Sequence, residues 1–180
     1  MDNKNLEDII WLFNCSKSSR GIIRLNLDEG AYLFKIAKTI KGKILEIGRF
    51  EGGSTLLLAF ATTGEVESID INPKNDEFVK VIMKNFGIKN IKLIINDVNK
   101  VELKKEYDMI FVDGDHTYEG IKRDYKHLFP ALKIGGHLLF HDYSPSQPDV
   151  MKFLDELSEN EKRIKEIKKV SSLAHYIKVL

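Results

Sequence analysis

Apolar residues along this chain fall into two kinds of pattern: short unbroken runs, and longer stretches with helical spacing. The runs at 44–47, 66–70, 91–95, 107–112 and 137–141 read as buried strands. Between them, 54–63, 73–86, 117–129 and 148–159 carry apolar residues at helical spacing. Gly64 and Gly87 supply C-terminal stops, and Pro73 suits a first helical position. KIGG at 133–136 reads as a turn into the fifth strand. Two helices precede the first strand. NLEDIIWLFN, 5–14, is short and amphipathic, and 28–40 places Leu33, Ile36, Ala37 and Ile40 on one face. Two further strands, near 163–170 and 174–180, are close enough to form a hairpin. Strand and helix alternate from 44 to 160. That order predicts an α/β fold: a doubly wound, mostly parallel, seven-stranded sheet with one antiparallel edge strand.

A chain of 180 residues suits a single domain, 1–180, with 1–40 as an N-terminal helical cap. Its net charge is +1 and its lysines are interleaved with acids, which leaves no nucleic-acid footprint. The start, MDNKNLED, has neither the basic residues nor the apolar run of a signal peptide. No apolar stretch approaches the ~20 residues of a membrane span. The one cysteine, Cys15, has no internal partner for a disulfide. These features predict a cytoplasmic protein with no membrane partner.

The chemistry concentrates at the carboxyl ends of the predicted strands, where open parallel sheets bind ligands. The first strand runs through Glu46 into ILEIGRFEGGST, with Gly48, Gly52 and Gly53 in the loop and a helix opening at Ser54. The second strand ends at Asp70, 22 residues after Gly48. A dinucleotide fingerprint starting at Gly48 would need glycine at 50, where Phe50 stands. The pattern present is E-x-G-x-x-x-G-G-S. An acidic residue before the turn suits a cofactor with a positive ammonium and sulfonium, not a pyrophosphate. The loop therefore predicts S-adenosyl-L-methionine. Asp70 is expected to accept hydrogen bonds from both ribose hydroxyls. Gly48 should let the backbone approach the methionine part, and Ser54 at a helix start should bind its carboxylate. Asp97 is placed to meet the adenine amino group, with Val98 against the ring. Asp113, His141 and Asp142 complete the rim at the fourth and fifth strand ends.

The stretch YDMIFVDGDHTYEGIKRDYKHLFPALKIGGHLLFHDY, 107–143, together with ILEIGRFEGGST and EGAYLFKIA, resembles the Rossmann-like S-adenosylmethionine-dependent methyltransferases. The nearest subgroup includes macrolide sugar O-methyltransferases and cephalosporin hydroxylase-like proteins. The resemblance covers about residues 22–180 and implies the methyltransferase fold and cofactor. It further implies a divalent cation, Mg²⁺ or Mn²⁺, held by Asp113, His141 and Asp142. Many relatives have aspartate where His141 stands, and an imidazole leans toward Mn²⁺, Zn²⁺ or no metal; Asp115 is an alternative oxygen ligand. His116 stands where catechol-type relatives place a catalytic lysine, so it is the expected general base. The expected function is methyl transfer to a small-molecule hydroxyl. The rival readings are a cofactor-binding enzyme of other chemistry, hydroxylase-like, and a non-catalytic cofactor-binding module. The apolar surface of Ile9, Ile10, Trp11, Leu12 and Phe13 predicts a homodimer that would cover it.

Overall fold

The computed structural model describes residues 5–13, 21–104 and 106–180. Cys15 and the end of the predicted first helix lie outside them. Seven strands form one sheet: β1 (Lys43–Ile47), β2 (Glu65–Asp70), β3 (Ile91–Ile95), β4 (Tyr107–Val112), β5 (Leu132–Phe140), β6 (Ile164–Val170) and β7 (Leu173–Lys178). Their spatial order is β3-β2-β1-β4-β5-β7-β6. The first five strands pair in parallel, and β7 runs antiparallel between β5 and β6. The antiparallel pairing thus falls at this side of the sheet. The short turn after β6 forces a hairpin, and β7 rather than β6 takes the place beside β5.

Among the described residues five α-helices cover the sheet: α1 (Leu27–Ala37), α2 (Gly53–Ala61), α3 (Asp76–Phe86), α4 (Tyr118–Leu128) and α5 (Pro148–Asn160). The central strands β1 and β4 are buried on both faces, as strands between two helical layers must be, whereas the edge strand β6 is largely exposed. One core lies between the sheet and α1, α2 and α3, and holds Leu33, Leu57, Val79 and Phe111. The other holds Ile110, Leu128, Leu154 and Tyr176 against α4 and α5. The order reverses between β1 and β4, and at that reversal the carboxyl ends of the strands open into a crevice.

Three local expectations are corrected. Pro73 does not begin α3; the helix starts at Asp76, whose carboxylate is bound to Arg49. KIGG is not a separate turn but part of β5, which it enters with a register shift and with Gly135 at a φ of 79°. The N-terminal segment is a 3₁₀ helix, Leu6–Phe13, and it hides most of its apolar side chains on its own domain. Ile9 and Leu12 are fully buried, Trp11 stacks on Phe86, and among these residues only Ile10 is clearly exposed. The motive for a homodimer therefore falls away, since α1, α2 and α3 already cover that surface.

Candidate active site at the carboxyl ends of the strands

A cavity of about 670 Å³ lies along the carboxyl ends of β1–β5, within the size range of small-molecule sites. Its lining includes Gly48, Phe50, Gly53, Ser54, Asp70, Asp97, Val98, Asp113, His116, His141 and Asp142. The predicted strand-end residues therefore meet in one place, with two exceptions. Glu46 and Gly52 do not line it.

Glu46 is fully buried beneath the start of α2. Its carboxylate accepts hydrogen bonds from Ser54 Oγ (2.5 Å), Thr55 Oγ1 (2.5 Å) and Ser68 Oγ (2.6 Å). Burial pushes its pKa up against those three donors. Glu46 is thus a clasp between β1, β2 and α2, not a contact for a cofactor ammonium. The same bond corrects Ser54, whose hydroxyl is turned inward. Only the unpaired backbone N–H groups of the first turn of α2 remain to face an anion at the cavity wall.

Gly48 lines the cavity and also has a reason internal to the fold. At a φ of 80°, a Cβ there would strike the carbonyl of Asp113. Gly48 is what lets β1 and β4 close together at the crevice. Gly52, also left-handed, has Val79 of α3 in the space a side chain would need. Phe50 adopts a positive φ of 48° and remains half exposed at the mouth, with the Arg24 guanidinium 5.7 Å from its ring.

Asp70 faces the cavity, but its oxygens are already engaged by the glycine loop. Oδ2 accepts from the backbone N–H of Arg49 (2.8 Å) and Phe50 (2.9 Å), and Oδ1 from Asn72 (2.6 Å). A carboxylate offers about four acceptor directions, so one remains on Oδ1, not a free fork for two hydroxyls. Asp97 is likewise drawn to its own turn: Oδ1 accepts from the Asn99 backbone N–H at 3.0 Å. Val98, buried, forms the wall beside it.

At the other end of the cavity, β4 and β5 deliver the charged cluster. Each of Asp113, His141 and Asp142 offers one donor atom, and these atoms lie within 4.8 Å of one another. His116 Nε2 lies 3.0 Å from Asp142 Oδ2 and 3.6 Å from Asp113 Oδ1. His141 Nδ1 lies 3.3 Å from Asp142 Oδ2 and 3.5 Å from Asp113 Oδ1, yet it makes no hydrogen bond although it is buried. Asp142 holds its place with a left-handed φ of 63°. Burial works to raise the pKa of Asp113, but the two histidines outweigh it and hold the carboxyl at about 2. Burial works to lower that of His141, and the surrounding carboxylates reverse the sign and push it up to about 12. The carboxylate of Asp113 likewise raises His116. The cluster thus calls for positive charge between Asp113 and Asp142, whether as protons on the histidines or as a cation. Asp115 does not join it, because its Oδ1 accepts from the Thr117 N–H and hydroxyl just ahead of α4.

Three residues that were not anticipated shape the site. Arg49 is buried and ties the glycine loop to β2, β3 and α3: Nε and Nη2 each reach Asp76 at 2.7 Å, and Nη1 reaches the carbonyls of Ser68 (2.9 Å) and Ile94 (3.0 Å). Asp124 of α4 is buried at the cavity wall, where burial raises its pKa and Asn99 Nδ2 donates to it at 2.7 Å. Glu29 of α1 is buried behind His141, with Oε2 3.3 Å from Nε2.

Residues 45–143 match a family model described as a methyltransferase domain. The chain belongs to that family. The matched segment runs from β1 to just past β5, so it takes in the glycine loop, Asp70 and the charged cluster of the methyltransferase domain. A protein-L-isoaspartate O-methyltransferase of Pyrococcus abyssi is 32% identical over 111 residues, which are 61% of this chain and 49% of that protein. The chain thus spans about half the length of the curated relatives it matches. Among solved structures, the O-methyltransferase NovP superposes with a TM-score of 0.72 at 12% identity, over 96% of this chain and 88% of its own. The O-methyltransferase TomG of Streptomyces achromogenes, solved with S-adenosylmethionine, gives 0.68 at 17% identity, over 87% and 82%. At these identities the likeness establishes the fold of the methyltransferase domain. No described helix is long and apolar enough to cross a membrane.

Proposed function

We propose that this chain is an S-adenosylmethionine-dependent methyltransferase of the cytoplasm that methylates a hydroxyl of a small molecule. One observation carries the reading: a single cavity joins the glycine loop and Asp70 at one end to Asp113, His116, His141 and Asp142 at the other. The first end suits a nucleoside with an amino-acid tail, with Asp70 at the ribose, Asp97 and Val98 at the adenine, and the first turn of α2 at the carboxylate. The second end suits proton removal beside a sulfonium.

His116 takes the acceptor proton as the hydroxyl oxygen bonds to the methyl carbon. The sulfur leaves with its bonding pair as a neutral thioether. Asp142, 3.0 Å from His116 Nε2, stabilises the imidazolium that forms. Most of the rate comes from holding the two reactants in line within the cavity. The residues present also fit a divalent cation. Asp113, His141 and Asp142 supply two oxygens and one nitrogen, and the orphaned Nδ1 of His141 is a ready donor. This mixed set suits Mn²⁺ better than Mg²⁺. Bound there, the ion would polarise the acceptor hydroxyl and lower its pKa.

The test is methyl transfer from labelled S-adenosylmethionine to a panel of catechols, sugars, small hydroxylated metabolites and an isoaspartyl peptide. Turnover of a hydroxyl acceptor supports the reading. Turnover of the peptide alone would move the acceptor to a protein carboxylate, as the name of the Pyrococcus relative suggests. Cofactor binding with no turnover of any class favours a non-catalytic module.

A further inference from the structure

Glu29 is a carboxylate with almost no solvent contact, on a helix that contributes nothing else to the charged cluster. Leaving such a group buried is costly unless its acceptor directions are filled. Three of them are filled by the chain that surrounds it. Oε1 accepts from the Ser172 N–H at 2.8 Å and from its hydroxyl at 2.6 Å, and Oε2 accepts from the Asn26 N–H at 2.7 Å. The fourth direction points at His141 Nε2, 3.3 Å from Oε2. Ser172 also fixes the far side, because its carbonyl accepts the Tyr143 N–H at 2.8 Å and so anchors the loop that carries His141 and Asp142. The start of α1, the β6–β7 turn and the end of β5 therefore converge on one imidazole, although 112 residues separate Glu29 from His141.

The consequence concerns the other ring nitrogen. In the neutral ring that a metal would bind, an Nε2–H held by a carboxylate leaves Nδ1 as the lone-pair atom. That atom is buried, makes no hydrogen bond, and faces Asp113 and Asp142. Two carboxylates and a lone pair aimed at one point are mutually repulsive unless positive charge lies between them, supplied by a proton on Nδ1 or by a cation that displaces it. We propose that Glu29 is the positioning residue of a divalent-cation site, orienting His141 so that Nδ1 joins Asp113 and Asp142 as the third donor. This inference rests on the cation reading given above, and assigns to Glu29 the choice of an ion that accepts nitrogen.

The test is Mn²⁺ binding, read by the electron paramagnetic resonance of the free ion, with S-adenosylhomocysteine affinity measured in parallel. Removing a carboxylate behind a metal-bound histidine weakens metal binding about 10- to 100-fold. Glu29→Gln should show that loss while its S-adenosylhomocysteine affinity stays at the wild-type value. Glu67→Gln, which removes the charge from a part-buried acceptor of Tyr107 away from the cavity, should be destabilised without losing Mn²⁺. Wild-type Mn²⁺ affinity in Glu29→Gln overturns the proposal and leaves the cation reading standing. Equal losses in both variants overturn it too, because the effect would then be one of general stability. A wild-type protein that binds no Mn²⁺ removes the cation reading and this inference together. If Glu29→Gln does not fold, Glu29→Asp keeps the charge and withdraws it by one methylene. A partial loss is then expected, and wild-type affinity refutes the proposal.

Discussion

Arg49→Met replaces a buried cation with an apolar side chain of similar length. The guanidinium uses four N–H groups: two in a fork to Asp76, and two on the carbonyls of Ser68 and Ile94. Its side chain has no solvent exposure, and that of Asp76 has 14%, so solvent screens the pair little. After substitution Asp76 keeps its charge without a partner, and two carbonyls at the ends of β2 and β3 lose their donors. Removing one member of a buried ion pair costs about 3–5 kcal/mol. For a domain of this size each kcal/mol lowers Tm by about 2–4 °C, so the expected fall is about 6–20 °C. Thermal unfolding followed by circular dichroism measures it. Arg49→Met with Asp76→Leu should recover part of the loss, because the stranded charge is gone. The glycine loop hangs from the same arginine, so S-adenosylhomocysteine affinity should fall alongside stability. A Tm within about 2 °C of the wild type, a shift expected from under ~1 kcal/mol, would refute the claim that Arg49 anchors the loop.

Asp70→Ala should weaken S-adenosylmethionine binding at least tenfold by calorimetry, since hydrogen bonds to a charged acceptor are worth about 1.5–3 kcal/mol, and it should also loosen the loop that Asp70 holds. An unchanged affinity would remove Asp70 from the ribose site. His116→Ala should lower kcat for a verified acceptor by about 10²–10⁴ with little change in cofactor affinity; a wild-type rate would make His116 a loop residue only. Acid stability depends in part on a buried histidine. Burial, with His137 adding to it, lowers His175 from its ordinary value to about 4, so below about pH 6.5 the unfolded chain binds a proton that the folded one refuses. Stability from this group is complete above about pH 6.5 and is lost as pH falls toward 4, by up to about 1.4 kcal/mol per pH unit. Urea titrations at pH 7 and pH 5 should show a smaller difference for His175→Gln than for the wild type, and equal differences would contradict the assignment.

The parts of the molecule that were legible in the sequence are those encoded locally. Apolar runs ending in Glu46, Asp70, Asp97 and Asp113 marked strands and their carboxyl ends, and Phe50 in place of a glycine separated the loop from a dinucleotide site. The parts that were not legible depend on partners far along the chain. Glu46 looked like a cofactor contact because its three hydroxyl donors, on α2 and β2, are brought together only by the folded sheet. Arg49 carried no assignment in the E-x-G-x-x-x-G-G-S pattern, and its role requires Asp76, Ser68 and Ile94 at once. Glu29 carried no assignment either, since nothing in EGAYLFKIA indicates that β5 and the β6–β7 turn arrive there. The N-terminal segment misled for a related reason. Its apolar residues signalled burial correctly, but not that the surface they bury against belongs to the same chain.

Which nucleoside the cavity accepts separates a methyltransferase from a dinucleotide enzyme. Calorimetric titration of the purified protein with S-adenosylmethionine, S-adenosylhomocysteine and NAD, each with and without Mn²⁺, decides it. Saturable one-site binding of both sulfur nucleosides with no heat from NAD is the predicted result. Binding of NAD, with neither sulfur nucleoside bound under any condition, would contradict it.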